Sequence, residues 1–296
     1  MAFKLPPPPW QSPSWHGAPP ALDDIIASLD EQRQARELAL QLRLGIQDAQ
    51  AEFSYLRLKG LRALAATVAA CLADSKWTRR FREAQLSPEL QIVPCLFSHS
   101  LAPPPRSQPP SPSGSPGRVL GQPAVPLSPP GEEEVVVALH LLQGCCLVNA
   151  ICKEQATKRG AVKALAERLL AATVVPVRVA CLDALLTLLI GNPENVQEFK
   201  RLGALKQTTD LVQNAHVLEQ VRLKALEFLA LLLADASHTA KQYPDGAEDL
   251  PTAFEEEIRT ALGTVVLNQL QQAVENGAFI EGRLETLAQS ILHATV

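Results

Sequence analysis

Val177-Arg178-Val179-Ala180-Cys181-Leu182-Asp183-Ala184-Leu185-Leu186-Thr187-Leu188-Leu189-Ile190 and Val221-Arg222-Leu223-Lys224-Ala225-Leu226-Glu227-Phe228-Leu229-Ala230-Leu231-Leu232-Leu233-Ala234 are one helical phrase written twice, 44 residues apart. A second phrase recurs at a spacing of 43: Asn149 to Lys163 lies over Asn192 to Lys206, with Gly160 over Gly203. Helical units with periods in the forties point to an armadillo/HEAT-like solenoid.

One helix shows why the unit must repeat. On a wheel of about 3.6 residues per turn, Val221, Ala225, Phe228, Leu229 and Leu232 gather on one side, and Leu223, Leu226 and Ala230 fill the adjoining one. A helix that is apolar over most of its circumference has to be covered on several sides. Neighbouring units of a solenoid supply that cover. The narrow strip left over is Lys224, Glu227 and Leu231, with Ala180, Asp183 and Thr187 one unit earlier. Inner helices of such stacks line a groove, so Asp183, Thr187, Lys224, Glu227 and Leu231 are the candidate protein-binding residues.

Composition supports the same fold class: all-α, a helical solenoid with a disordered Pro/Ser-rich insertion. The chain of 296 residues is 47% hydrophobic but only 4% aromatic, so packing rests on Leu, Ala and Val. Its 27 basic and 31 acidic residues give a net charge of -4, which offers no general attraction for nucleic acid. The basic run Lys76, Arg79, Arg80 and Arg82 reads as a solvated helix face. The six cysteines, at 71, 95, 145, 146, 152 and 181, contain no C-x-x-C pair and sit in apolar helical text, as reduced core thiols do. No apolar run approaches the length of a membrane span, and the start lacks the apolar middle of a signal peptide. The expectation is a cytoplasmic protein without membrane insertion.

Residues 1–20 carry seven prolines and no period, a Pro-rich arm expected to be disordered or polyproline II. Residues 21–101 read as an N-terminal helical part. In it, Ser28 and Glu31 form a capping box for a helix to about Leu44, a long helix spans about Ile46 to Ala73, and Ser87-Pro88-Glu89 starts another that Pro94 should kink or end. No clear 43-residue echo appears there. Residues 102–131 hold eleven of the 24 prolines and too little apolar surface to order themselves. Three Ser-Pro pairs, at Ser111, Ser115 and Ser128, are candidate phosphorylation sites, Ser115 being best placed by the basic Arg118. Residues 132–236 contain the armadillo-like repeats, opened by Glu132-Glu133-Glu134 where a helix N-terminus favours acids, with helical text running from there through Val135 to Cys152. A loop over 237–251 leads to capping helices over 252–296, about Thr252 to Glu275 and Glu281 to His293.

No catalytic constellation is present in the sequence. It has neither a P-loop nor a dinucleotide fingerprint, and none of the six histidines stands in a metal-binding spacing. His140 could meet Cys145 or Cys146 near one helical face, but a catalytic pair would need hydrogen-bond reach and a third orienting group, and the pair reads as a packed thiol beside a partly exposed imidazole. The Asp and Glu residues read as scattered helix-surface charges. A non-enzyme with no cofactor follows.

The segment Val179 to Asp235 also carries a family resemblance. Ala184-Leu-Leu-Thr-Leu-Leu-Ile190, Asn195-Val-Gln-Glu-Phe199 and above all Val221-Arg-Leu-Lys-Ala-Leu-Glu-Phe-Leu229 resemble the cell division control protein 14 family, the septation-initiation-network component and not the phosphatase of similar name. The likeness covers roughly Leu139 to Ala234; the family's aromatic residues after E-F-L are replaced here by Ala230, Leu231 and Leu232. The resemblance implies a non-catalytic adaptor that binds a Ste20-like protein kinase and supports its activity and its placement at the spindle pole body in cytokinesis and septation. The alternative from the residues alone is a generic armadillo/HEAT interaction scaffold with a trafficking or cytoskeletal partner.

Overall fold

The computed structural model describes residues 22–102, 128–242 and 249–275. Its elements are helices throughout: α1 (Leu22–Ala49), α2 (Ser54–Leu72), α3 (Ser75–Ala84), a 3-10 turn (Pro88–Leu90), α4 (Ile92–Ser98), α5 (Glu132–Val148), α6 (Ala150–Lys158), α7 (Ala161–Ala171), α8 (Val175–Leu189), α9 (Pro193–Arg201), α10 (Ala204–Gln213), α11 (Glu219–Gln242), α12 (Asp249–Leu262) and α13 (Thr264–Glu275). No strand occurs among the described residues.

The sequence repeat becomes a repeat of three helices. Asn149 and Asn192, 43 residues apart, cap α6 and α9; their Oδ1 atoms accept from Ile151 N at 3.0 Å and Asn195 N at 3.1 Å. That bond satisfies an N–H that the first helical turn leaves without a partner. Gly160 and Gly203 end those first helices at φ 65, a left-handed conformation costly for any residue with a Cβ. A second helix follows in each unit, α7 or α10, and then a longer third, α8 or α11. Three helices per unit make the fold armadillo-like rather than HEAT-like.

The third helices form the spine. α2 packs on α5, α5 on α8, α8 on α11 and α11 on α13, so one core runs through the stack. Phe199 of α9 and Phe228 of α11, both buried, meet with ring centroids 5.7 Å apart. Each of α2, α8 and α11 has an arginine as its fourth residue: Arg57, Arg178 and Arg222. Each folds back onto a carbonyl of the preceding segment. Arg57 Nη1 donates to Glu52 O at 2.9 Å, Arg178 Nε to Ala172 O at 2.7 Å and Arg222 Nε to Val212 O at 2.8 Å. This shared device places α2 in the same series as α8 and α11, although its sequence shows no echo of theirs.

Both ends of the Pro/Ser-rich insertion are tied to one buried ion pair. Arg57 Nε donates to Glu134 Oε1 at 2.8 Å, and both side chains are essentially unexposed. Ser100 Oγ, on the approach to the insertion, donates to Glu134 Oε1 at 2.7 Å. On its far side, the Ser128 carbonyl accepts from Arg57 Nη2 at 2.9 Å, and Ser128 Oγ accepts from Ser54 N at 2.7 Å. The chain leaves and returns at nearly one place, so the stack continues across the gap. Burial pushes the Glu134 carboxyl up, but the hydrogen bonds from Arg57, Ser54 and Ser100 outweigh it and hold the pKa below the usual carboxylate range.

Several local expectations change. Ser28 lies inside α1, which starts at Leu22, because nothing in that text interrupts a helix. The long helix expected from Ile46 is broken over residues 50–53, where Arg57 and Ser128 capture the backbone groups that a helix would use. Pro94 is the third residue of α4, a position that needs no intrahelical N–H, so it neither kinks nor ends the helix. The helix from Glu132 stops at Val148, where Asn149 starts α6. Glu134 is buried rather than a surface charge. α11 runs on to Gln242, past the start of the expected loop. The helix expected over Thr252–Glu275 is two helices parted by Gly263 at φ 89. The Pro-rich arm 1–20, most of the insertion with Ser111 and Ser115, and the helix expected over Glu281–His293 lie outside the described residues.

Candidate protein-binding face

The spine helices are covered on most sides, and what remains uncovered is a stripe along each. On α8 and its C-cap the residues left open or half-open at helical spacing are Val179, Asp183, Leu186 and Ile190. On α11 they include Leu223, Lys224, Glu227, Leu231 and Asp235, and on α5 Val136, His140, Gln143 and Leu147. Leu147 is 70% exposed and Ile190 38%. Each stripe therefore carries aliphatic side chains with a polar step between them.

The polar step is tied across two helices. Lys224 Nζ of α11 lies 2.7 Å from Asp183 Oδ1 of α8 and 2.9 Å from Glu227 Oε2 one turn along its own helix. Burial pulls the Lys224 pKa down, but the two carboxylates outweigh it and the net shift is upward. One cation between two carboxylates leaves the cluster a net negative charge. A second tie lies at the end of the stripe, where Asp235 Oδ2 accepts from Gly191 N at 3.1 Å, and Lys153 Nζ donates to Ile190 O at 2.8 Å.

The five residues expected from the sequence divide. Asp183, Lys224 and Glu227 come together. Leu231 lies beside them, half-buried. Thr187 does not join them: it is 7% exposed, and its Oγ1 donates to Asp183 O at 2.9 Å. Ala180 is likewise buried. That side of α8 is covered, and the open stripe runs instead through Val179, Leu186 and Ile190. A signal for these existed, since 179, 183, 186 and 190 follow helical spacing as well as 180, 183 and 187 do. Which side of Asp183 is covered depends on the neighbouring helix.

The cysteines are all buried and unpaired. Burial pushes the thiols of Cys95, Cys146 and Cys181 up to about 12, which keeps them as unreactive thiols at neutral pH. Among the described residues no group of three or more His, Cys, Asp or Glu side chains could hold a metal ion, and no helix is long and apolar enough to cross a membrane. Ser128 is half-buried, with its hydroxyl engaged as a cap of α2.

A family model described as "Cell division control protein 14, SIN component" matches residues 128–279, just over half of the chain. The chain belongs to this family. The match takes in α5 to α13 and with them all three stripes. No curated protein matches the sequence significantly. Among solved structures, the designed armadillo repeat protein YIII(Dq)4CqI aligns with a TM-score of 0.46 and 16% identity, covering 86% of this chain and 100% of that chain. Its three-helix repeat makes this member of the septation-related Cell division control protein 14 family armadillo-like.

Proposed function

We propose that the protein is a non-catalytic regulatory subunit that binds a Ste20-like protein kinase through the open stripes of α5, α8 and α11, and supports that kinase's activity and localisation in septation signalling. Family membership supports the signalling role. The observation that carries the binding role is the Asp183–Lys224–Glu227 cluster, a preformed charged step set between uncovered aliphatic side chains. Aliphatic contacts supply area, and the fixed charges select partner and register. The partner surface that fits is an apolar segment interrupted by a basic side chain, which answers the cluster's net negative charge. The site of action is the cytoplasm, with the kinase placed at the spindle pole body through this protein.

Pull-down of the kinase by the full chain tests this. Reversing Asp183→Lys together with Glu227→Lys is expected to abolish capture, and Ile190→Asp to weaken it at least tenfold. Capture unchanged by all of these removes the stripes as the kinase site. Capture of a trafficking or cytoskeletal protein in place of any kinase, lost in the same variants, keeps the surface and replaces the partner.

A further inference from the structure

α1 has two apolar faces, and among the described residues only one is covered. Leu38, Leu42, Ile46 and Ala49 are buried against the stack. On the opposite side of the helix, Leu22, Ile26, Leu29, Arg33, Arg36, Leu40 and Leu44 form one straight ridge, following the alternating three- and four-residue steps of a coiled-coil seam up to Leu40. Every aliphatic member is exposed: Leu22 72%, Ile26 50%, Leu29 60%, Leu40 55% and Leu44 53%. Between Leu22 and Leu44 the ridge is about 33 Å long. A solvated ridge has no need of these leucines.

The ridge reads nearly the same from either end. Leu22 and Leu44 each stand 11 residues from Arg33, and Ile26 and Leu40 each stand 7. We propose that α1 pairs antiparallel with α1 of a second copy of this chain, about a two-fold axis beside Arg33. Leu22 and Ile26 of each copy then pack on Leu44 and Leu40 of the other. Charge fits the same register. Asp30 and Glu37 lie on the flank of the ridge toward which Arg33 leans, and Arg33 already reaches Asp30 of its own helix at 3.6 Å. In the antiparallel pair each Arg33 lies within a turn of the other copy's Asp30 and Glu37. That register also brings Arg33 beside Arg33 at the axis, but flanked by those carboxylates of both copies, whereas the parallel pair stacks Arg36 on Arg36 as well, two like-charge steps in one seam. A ridge that is its own complement needs no second kind of partner. The inference is independent of the kinase reading, since α1 precedes the residues that match the family and lies away from the stripes.

Sedimentation of the full chain tests it, with a mass of twice 32.0 kDa expected. Ile26→Asp with Leu40→Asp replaces only exposed side chains. It is expected to weaken self-association about 100-fold or more while the helical circular dichroism stays unchanged. Register is read separately by mixing Leu22→Cys and Leu44→Cys chains under mild oxidation. The antiparallel pair gives the mixed disulfide, and neither variant cross-links to itself. Arg33→Glu is expected to dissociate the dimer, and mixing it with an Asp30→Lys, Glu37→Lys chain to restore it. A monomer at all concentrations overturns the proposal. So does a Leu22→Cys chain that cross-links to itself, or a dimer indifferent to Ile26→Asp with Leu40→Asp.

Discussion

Arg57 and Glu134 stand 77 residues apart in sequence and 2.8 Å apart in the fold, both completely buried. Around them, Ser54, Ser100 and the carbonyls of Ala51, Glu52 and Ser128 use up the remaining hydrogen-bonding capacity. A buried ion pair repays the desolvation of its charges only when it is satisfied in this way. Removing one partner is therefore costly: Arg57→Met leaves Glu134 uncompensated and is expected to destabilise the chain by about 3–5 kcal/mol. Urea unfolding of the variant measures it, and a loss under about 1 kcal/mol contradicts the role.

The same pair makes stability depend on pH. Since the folded-state pKa of Glu134 is depressed, its contribution is present above the unfolded value and is lost as pH falls through the lower folded value. Melting temperature is expected to drop below about pH 4, near the unfolded glutamate value. In Glu134→Gln, less stable throughout, that part of the acid slope disappears. Melting curves of both chains between neutral and acid pH test the difference.

Both ends of the insertion are held at that pair, so the length of chain between them is expected to matter little to stability. Replacing residues 104–126 by a short Gly/Ser linker is expected to shift stability by no more than about 1 kcal/mol, since loop-closure entropy grows slowly with length. Thermal unfolding of the shortened chain reads this directly.

Gly160 and Gly203 test the turn that repeats. A Cβ built on either meets nothing within 4 Å, yet each holds φ 65, so alanine brings strain without a clash. Each Gly→Ala change is expected to cost about 1–2 kcal/mol, and the two costs to add, because the sites lie in different units. Chemical denaturation of the two single variants and the double variant checks both statements.

Phe228, in contact with Phe199, should be the most sensitive core position in the repeat. Phe228→Ala opens a cavity at the junction of the first and third helices and is expected to cost about 3–5 kcal/mol. Equilibrium unfolding gives the value, and Phe228→Leu should recover much of it.

The chain itself determined that α8 and α11 are covered spine helices of a stacked unit. The 43- and 44-residue echoes, the Asn caps and the glycine turns are local or periodic signals, written into the residues that obey them. Family membership was legible in the same segment. Tertiary structure alone decided that α2 belongs to the spine, because the sign of that is where Arg57 sends its hydrogen bonds. It also decided that Glu134 is buried, since its partner lies across an insertion that hides their proximity. On α8 it chose Val179, Leu186 and Ile190 over Ala180 and Thr187 for the open stripe. A helix fixes the angles between its side chains, but the rotation of that set relative to solvent is set by the neighbours that cover it.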